Sequence, residues 1–160
     1  MDRAEEIVGE LLKARGLTLC LAESCTGGLL AHRVTNVSGS STYFLGGVVA
    51  YANQVKENLL GVSGVTLQQH GAVSRETAIE MAQGARRVLG GDVALSVTGI
   101  AGPTGGTVEK PVGLTYIALA AKGYEECEKN LWQEDRLGNK ECSVDAALEM
   151  LIRYLRGVES

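Results

Sequence analysis

Apolar residues recur along this chain at two spacings, and the spacings sort it into helices and strands. Residues 2–15 place Ile7, Val8, Leu11 and Leu12 on one helical face, and Gly16 follows as a stop. Residues 17–22 form a short apolar run, the pattern of a buried strand. Residues 27–34 return to a helical pattern, 38–41 read as a loop, and 44–51 are apolar and rich in β-formers. Asn53 is positioned to cap a helix through Gly61, while 62–71 carry no decisive period. Ser74 caps a long helix to Leu89, with Ile79, Met81, Ala82, Ala85 and Val88 as its apolar stripe. A third strand at 92–97 leads into a glycine-rich loop at 99–111. Strands at 112–121 and 127–132 lie close enough to form a hairpin, and a helix at 143–155 closes the chain.

Helices alternate with strands early, and two strands then follow in succession. That order predicts an α/β fold: a three-layer α/β/α sandwich over a mixed, mostly parallel sheet of about five strands. The 160 residues fit one domain, 1–160, with no internal repeat and no linker. Hydrophobic residues make up 45%, enough for a core, and the 21 glycines against two prolines point to tight turns rather than disorder.

Charge narrows the partners. The net charge is −4 and no long basic run exists, which argues against nucleic acid. No apolar run approaches the ~20 residues that span a bilayer. The start, Met1-Asp2-Arg3-Ala4-Glu5-Glu6, is acidic and helical, unlike a signal peptide, so a cytoplasmic location is expected. Cys20, Cys25, Cys127 and Cys142 have no C-x-x-C spacing and the two histidines lie apart, so free thiols and no metal site are expected.

Three segments could carry chemistry. In the first, a strand ends at Glu23-Ser24-Cys25-Thr26-Gly27-Gly28 and a helix starts at once. Its free N–H groups and positive dipole end would seat an anion or an oxyanion. The same residues also read as an ordinary helix cap by Ser24 or Thr26. In the second, Lys56 falls at about the third position of the helix capped by Asn53, just after Tyr51. The dipole there repels a cation and, with burial, would lower its pKa and make it a base for a nucleophile. A surface lysine fits the local sequence as well. The third runs Thr98-Gly99-Ile100-Ala101-Gly102-Pro103-Thr104-Gly105-Gly106 after a strand, where open α/β sheets tend to bind ligands. It matches neither a P-loop nor G-x-G-x-x-G, and it reads either as a backbone cradle or as a flexible loop. His70 reads as a turn residue, and His32 and Arg86-Arg87 read as solvated helix faces. Arg136 is placed to hold a phosphate or carboxylate, or is an ordinary surface arginine.

Taken in order, these segments resemble one family. They are Ala22-Glu23-Ser24-Cys25-Thr26-Gly27-Gly28, Gly39-Ser40-Ser41, Gly46-Gly47-Val48-Val49-Ala50-Tyr51-Ala52-Asn53 with Lys56, His70-Gly71-Ala72-Val73-Ser74, and Thr98-Gly99-Ile100-Ala101-Gly102-Pro103. Gly105-Gly106 and Lys110-Pro111-Val112-Gly113 complete the series. The chain is similar over residues 4–155 to the CinA C-terminal domain family, the nicotinamide-nucleotide amidohydrolases also called PncC. The resemblance implies hydrolysis of the carboxamide of nicotinamide mononucleotide to nicotinate mononucleotide and ammonia, in pyridine nucleotide salvage. It implies no metal, no cofactor, a homodimer or higher homo-oligomer, and the stand-alone form without a larger N-terminal domain.

By the same resemblance Ser24 is the nucleophile, Lys56 its base and Tyr51 a relay or orienting group. The resemblance also places substrate-binding groups at Ser41, Thr98 and Arg136; from the residues themselves, Cys25 and Thr26 would lend oxyanion N–H groups, Gly27 would let a ligand come close, and Gly99 and Gly102 of the glycine-rich loop would meet the substrate. Where the family has Gly-Asp-Arg, this chain reads Glu134-Asp135-Arg136. A nucleotide-binding or interaction module without activity, or an amidohydrolase for another small amide, are the competing readings.

Overall fold

A computed structural model describes residues 2–157; Met1 and residues 158–160, which the readings above include, lie outside them. In chain order the elements are α1 (Ala4–Arg15), β1 (Leu19–Glu23), α2 (Leu29–Thr35), β2 (Phe44–Val49), α3 (Asn53–Leu60), α4 (Gly64–His70), α5 (Arg75–Leu89), β3 (Val93–Gly99), β4 (Leu114–Ala121), β5 (Tyr124–Leu131) and α6 (Arg136–Gly157). The five strands make one sheet in the order β2-β1-β3-β4-β5. β1 pairs in parallel with β2 and β3, and β4 is antiparallel to both β3 and β5. Four strands therefore run one way and only β4 runs against them. The expected α/β sandwich with a mixed, mostly parallel sheet is the fold observed.

Period-two alternation builds the two cores. All five residues of β1 are buried, as a central strand requires. Leu19 and Leu21 face the layer of α1, α2 and α6, while Cys20 and Ala22 face α3 and α5. Leu21, Leu95 and Leu119 lie in register across β1, β3 and β4. The second core is made mostly of alanines around Leu60, Val62 and Met81, and its helices come close. A side chain at Gly84 of α5 would run into the carbonyl of Leu60, so the mid-helix glycine is what lets α3 seat against α5.

Several boundaries differ from expectation, each for a local reason. α5 begins where read: the Ser74 hydroxyl accepts the Thr77 N–H at 3.2 Å. α4 went unread because it is seven residues long and buries none of them; Ser63 caps it. β1 runs 19–23 rather than 17–22, because its pairing with β2 and β3 begins at Leu19. β3 extends to Gly99, paired with Thr115, so Thr98 and Gly99 belong to the sheet and not to the loop. β5 starts at Tyr124, three residues earlier than read, because the turn at Lys122-Gly123 is two residues long. α6 starts seven residues earlier than read, because Asp135 Oδ1 accepts the Gly138 N–H at 2.8 Å and opens a helix there. Among the described residues, no helix is long and apolar enough to cross a membrane.

Candidate active site

Parallel strands end together, and the ends of β1, β2 and β3 bring the candidate residues to one edge of the sheet. Beyond β1 the chain stays pinned: Ser24 N–H donates to Val97 O at 2.9 Å. A turn of residues 24–28 follows, with Gly27 and Gly28 at φ 57° and 105°. These left-handed residues postpone the helix, which begins at Leu29 and not at Gly27.

That postponement corrects the expected use of the helix end. The positive end of α2 is already occupied by the carboxylate of Glu23. Its Oε1 accepts from Thr26 Oγ1 (2.6 Å), Leu30 N (2.9 Å) and Gly28 N (3.3 Å), and its Oε2 from Ala31 N (3.0 Å). Glu23 is 1% exposed and is satisfied by these four donors. No ligand needs to fill that helix end. Among the described residues, by contrast, the Thr26 N–H has no acceptor and the Cys25 N–H meets only its own thiol. Sequence reasoning quoted Glu23 but missed this role; its signal was an acidic residue directly before a turn of small residues.

Lys56 reaches the nucleophile candidate from α3. The cap of that helix is Ala52 and not Asn53, so Lys56 is its fourth residue. The ammonium end is buried, with the residue 1% exposed. Nζ lies 3.0 Å from Ser24 Oγ, 2.8 Å from Ala50 O and 3.1 Å from Tyr51 O. Burial pushes the Lys56 pKa below 10.5 because the charged form loses hydration. Of the two causes expected from the sequence, dipole and burial, it is burial that lowers this pKa, since Lys56 sits past the first turn of the helix. A neutral amine has two N–H bonds and one lone pair. In that neutral form the two carbonyls would take both N–H bonds and leave the lone pair for the Ser24 hydroxyl, whereas the charged form donates to Ser24 Oγ.

Cys25, whose thiol is the other candidate nucleophile beside Ser24, is buried. Burial pushes its thiol up to about 12, so it stays protonated at neutral pH.

Tyr51 is 62% exposed, and its hydroxyl meets Arg136 Nη2 at 3.4 Å, not Ser24 or Lys56. Its carbonyl, not its phenol, orients Lys56. Arg136, the first residue of α6, donates from Nη1 to Gly102 O at 2.7 Å. Asn139, which the sequence did not suggest, donates to Ala101 O at 3.0 Å. The two side chains tie the glycine-rich loop to α6. Thr98 is buried, and its hydroxyl is spent on Ala72 O at 2.7 Å.

Ser24, Cys25, Tyr51, Lys56, Thr98, Gly99, Gly102 and Arg136 all line one cavity of about 320 Å³. Thr26 and Gly27 flank it in the nucleophile turn. Ser41 does not join them: it is exposed in a short 3-10 turn (Ser40–Thr42) before β2, whereas Tyr51 follows that strand. A larger hollow of about 870 Å³ opens at the far end of the sheet, between Arg86, Arg87 and Tyr124, and holds no nucleophile and base pair.

The model of the CinA C-terminal domain matches residues 1–155 of the chain. A CinA-like protein of Citrifermentans bemidjiense is 53% identical over 154 residues, 96% of this chain and 37% of that protein. A CinA-like protein of Salinibacter ruber is 50% identical over 151 residues, 94% of this chain and 37% of its own length. The chain thus spans little more than a third of these relatives. Among solved structures, the competence/damage inducible protein CihA from Agrobacterium tumefaciens superposes with a TM-score of 0.90 at 40% identity, over 98% of this chain and 99% of that one. A CinA superfamily protein of Klebsiella pneumoniae superposes with a TM-score of 0.92 at 31% identity, over 98% and 99%.

Proposed function

The chain belongs to the CinA C-terminal domain family, and from that premise we propose that it hydrolyses the carboxamide of nicotinamide mononucleotide by a Ser–Lys mechanism. The observation that carries the reading is the buried Lys56 amine 3.0 Å from the Ser24 hydroxyl. A buried lysine with no carboxylate partner among the described residues, against a serine at a strand end, is costly as structure and useful as chemistry.

The steps follow from the groups present. Neutral Lys56 takes the proton of Ser24 as Oγ attacks the carboxamide carbon. The carbonyl oxygen becomes an oxyanion, for which the N–H groups of Cys25 and Thr26, neither bonded to a backbone acceptor among the described residues, are available donors. Lys56 returns the proton to the amide nitrogen, the C–N bond breaks, and ammonia leaves an ester on Ser24. Water then loses a proton to Lys56 and attacks that ester. The acid is released and Ser24 is reprotonated.

Substrate recognition is assigned to the loop after β3 and to Arg136, a cation at a cavity whose lining contains no carboxylate. Nicotinamide mononucleotide suits it in bearing a phosphate. Release of ammonia from nicotinamide mononucleotide by the purified chain tests the proposal, and a folded protein that releases none would overturn it.

A further inference from the structure

Lys140 is a half-buried cation without a hydrogen-bond or ion-pair partner among the described residues. Arg33, Lys56, Arg86 and Lys110 are likewise wholly or partly buried, and each donates to an acceptor of the chain. Lys140 makes no hydrogen bond and no ion pair among the described residues. The stem of Lys140 is packed against the protein while its ammonium group is not engaged by an acceptor there, so it is free to make a charge-assisted contact with an anionic ligand.

Its place in the fold says which ligand. Lys140 lies on α6, four residues beyond Arg136, so both project from one helix face. Arg136 reaches the cavity at Gly102 and Tyr51. Lys140 is not part of the cavity lining but stands beside the nucleophile turn: Nζ lies 3.7 Å from where a side chain on Gly27 would begin, close enough for its charge to act on the Cys25 thiol. The first turns of α6 therefore set two cations beside the nucleophile turn.

We propose that Lys140 is a substrate-recognition residue that, with Arg136, binds the phosphate of a mononucleotide. The inference rests on reading the cavity as a pyridine-nucleotide site. It adds a residue that neither the family resemblance nor the sequence singled out. Its consequence is discrimination: a phosphorylated amide binds through Lys140, and the corresponding nucleoside does not.

Calorimetric titration tests this in a Ser24→Ala background, where turnover cannot interfere. The ligands are nicotinamide mononucleotide and nicotinamide riboside, and the variants are Lys140→Gln and Lys140→Arg. Loss of a charge-assisted phosphate contact is expected to weaken mononucleotide binding about tenfold or more in Lys140→Gln. Lys140→Arg should restore most of it, and riboside binding should stay the same throughout. Nicotinate riboside, with a carboxylate and no phosphate, should also be indifferent to Lys140. If it alone responds, the anion is the product carboxylate and the proposal is wrong. Equal weakening of mononucleotide and riboside, or no change in either, overturns it too, as does a parent protein that binds no mononucleotide. Phosphate- and Lys140-dependent binding by a protein that releases no ammonia would leave this inference standing and remove the amidohydrolase reading. Ammonia release with Lys140→Gln binding as its parent would do the reverse.

Discussion

Lys56 Nζ lies 3.0 Å from Ser24 Oγ, and the carbonyls of Ala50 and Tyr51 take its other two directions at 2.8 and 3.1 Å. Strand ends and one helix turn thus hold a serine and a lysine as a preset pair. The pair assigns the nucleophile by what it leaves out, since Cys25 has no base and a thiol that burial pushes up to about 12. Ser24→Ala and Lys56→Ala should each lose at least about a hundredfold in kcat, the lower range for removing a general base. Cys25→Ala should keep most activity, and iodoacetamide should modify Cys25 slowly in the folded protein. A dead Cys25→Ala beside an active Ser24→Ala would reverse the assignment.

The pH dependence has a definite sign. Burial places the folded-state pKa of Lys56 below 10.5, and the neutral amine is the competent form. The rate should rise with pH through that lowered value and level off above it. Stability should move the same way. Between the lowered value and 10.5 the unfolded chain binds the extra proton, so raising the pH through this window favours folding. Rate profiles and urea titrations at several pH values check both. A rate that falls as Lys56 loses its proton would contradict the role of base.

Arg136 holds Gly102 O and the Tyr51 hydroxyl at the cavity mouth, away from the Ser24–Lys56 contact. Arg136→Ala should raise KM about tenfold, the size of one charge-assisted contact, with kcat changed only a few-fold. A collapse of kcat at constant KM would make Arg136 part of the chemistry instead.

Glu23 accepts from the Thr26 hydroxyl and from the N–H groups of Gly28, Leu30 and Ala31 inside the protein. Each buried donor left unmade costs ~1–3 kcal/mol, so Glu23→Ala should lower unfolding free energy by about 3 kcal/mol or more. Glu23→Gln keeps the shape and should lose less. Equilibrium urea unfolding measures both, and an Ala variant as stable as the parent would refute the role.

What the sequence reveals depends on how local the determinant is. α5 was legible because Ser74 and a full apolar stripe sit in one stretch. α4 was not, since it is short and buries no residue. The start of α6 was hidden because Leu137 is 68% exposed and the segment from 136 to 142 carries no apolar stripe; its cap, Asp135, was the available sign. At the site, the motifs named Ser24 and Lys56, whose side chains lie 3.0 Å apart. They could not say that Glu23 fills the helix end, that the Tyr51 carbonyl does the orienting, or that Asn139 ties down the loop. Those are contacts between segments distant in sequence or decided by a two-residue shift of a helix start. Ser41 travelled with the motifs but stands before β2, apart from the cavity within the chain.

The most direct test of the account is ammonia release from nicotinamide mononucleotide by the purified chain, with and without a chelator, beside the Ser24→Ala variant. The account predicts ammonia and nicotinate mononucleotide in equal amounts, undiminished by chelator and lost in Ser24→Ala. Full activity in Ser24→Ala, or no ammonia from a correctly folded parent protein, would contradict it.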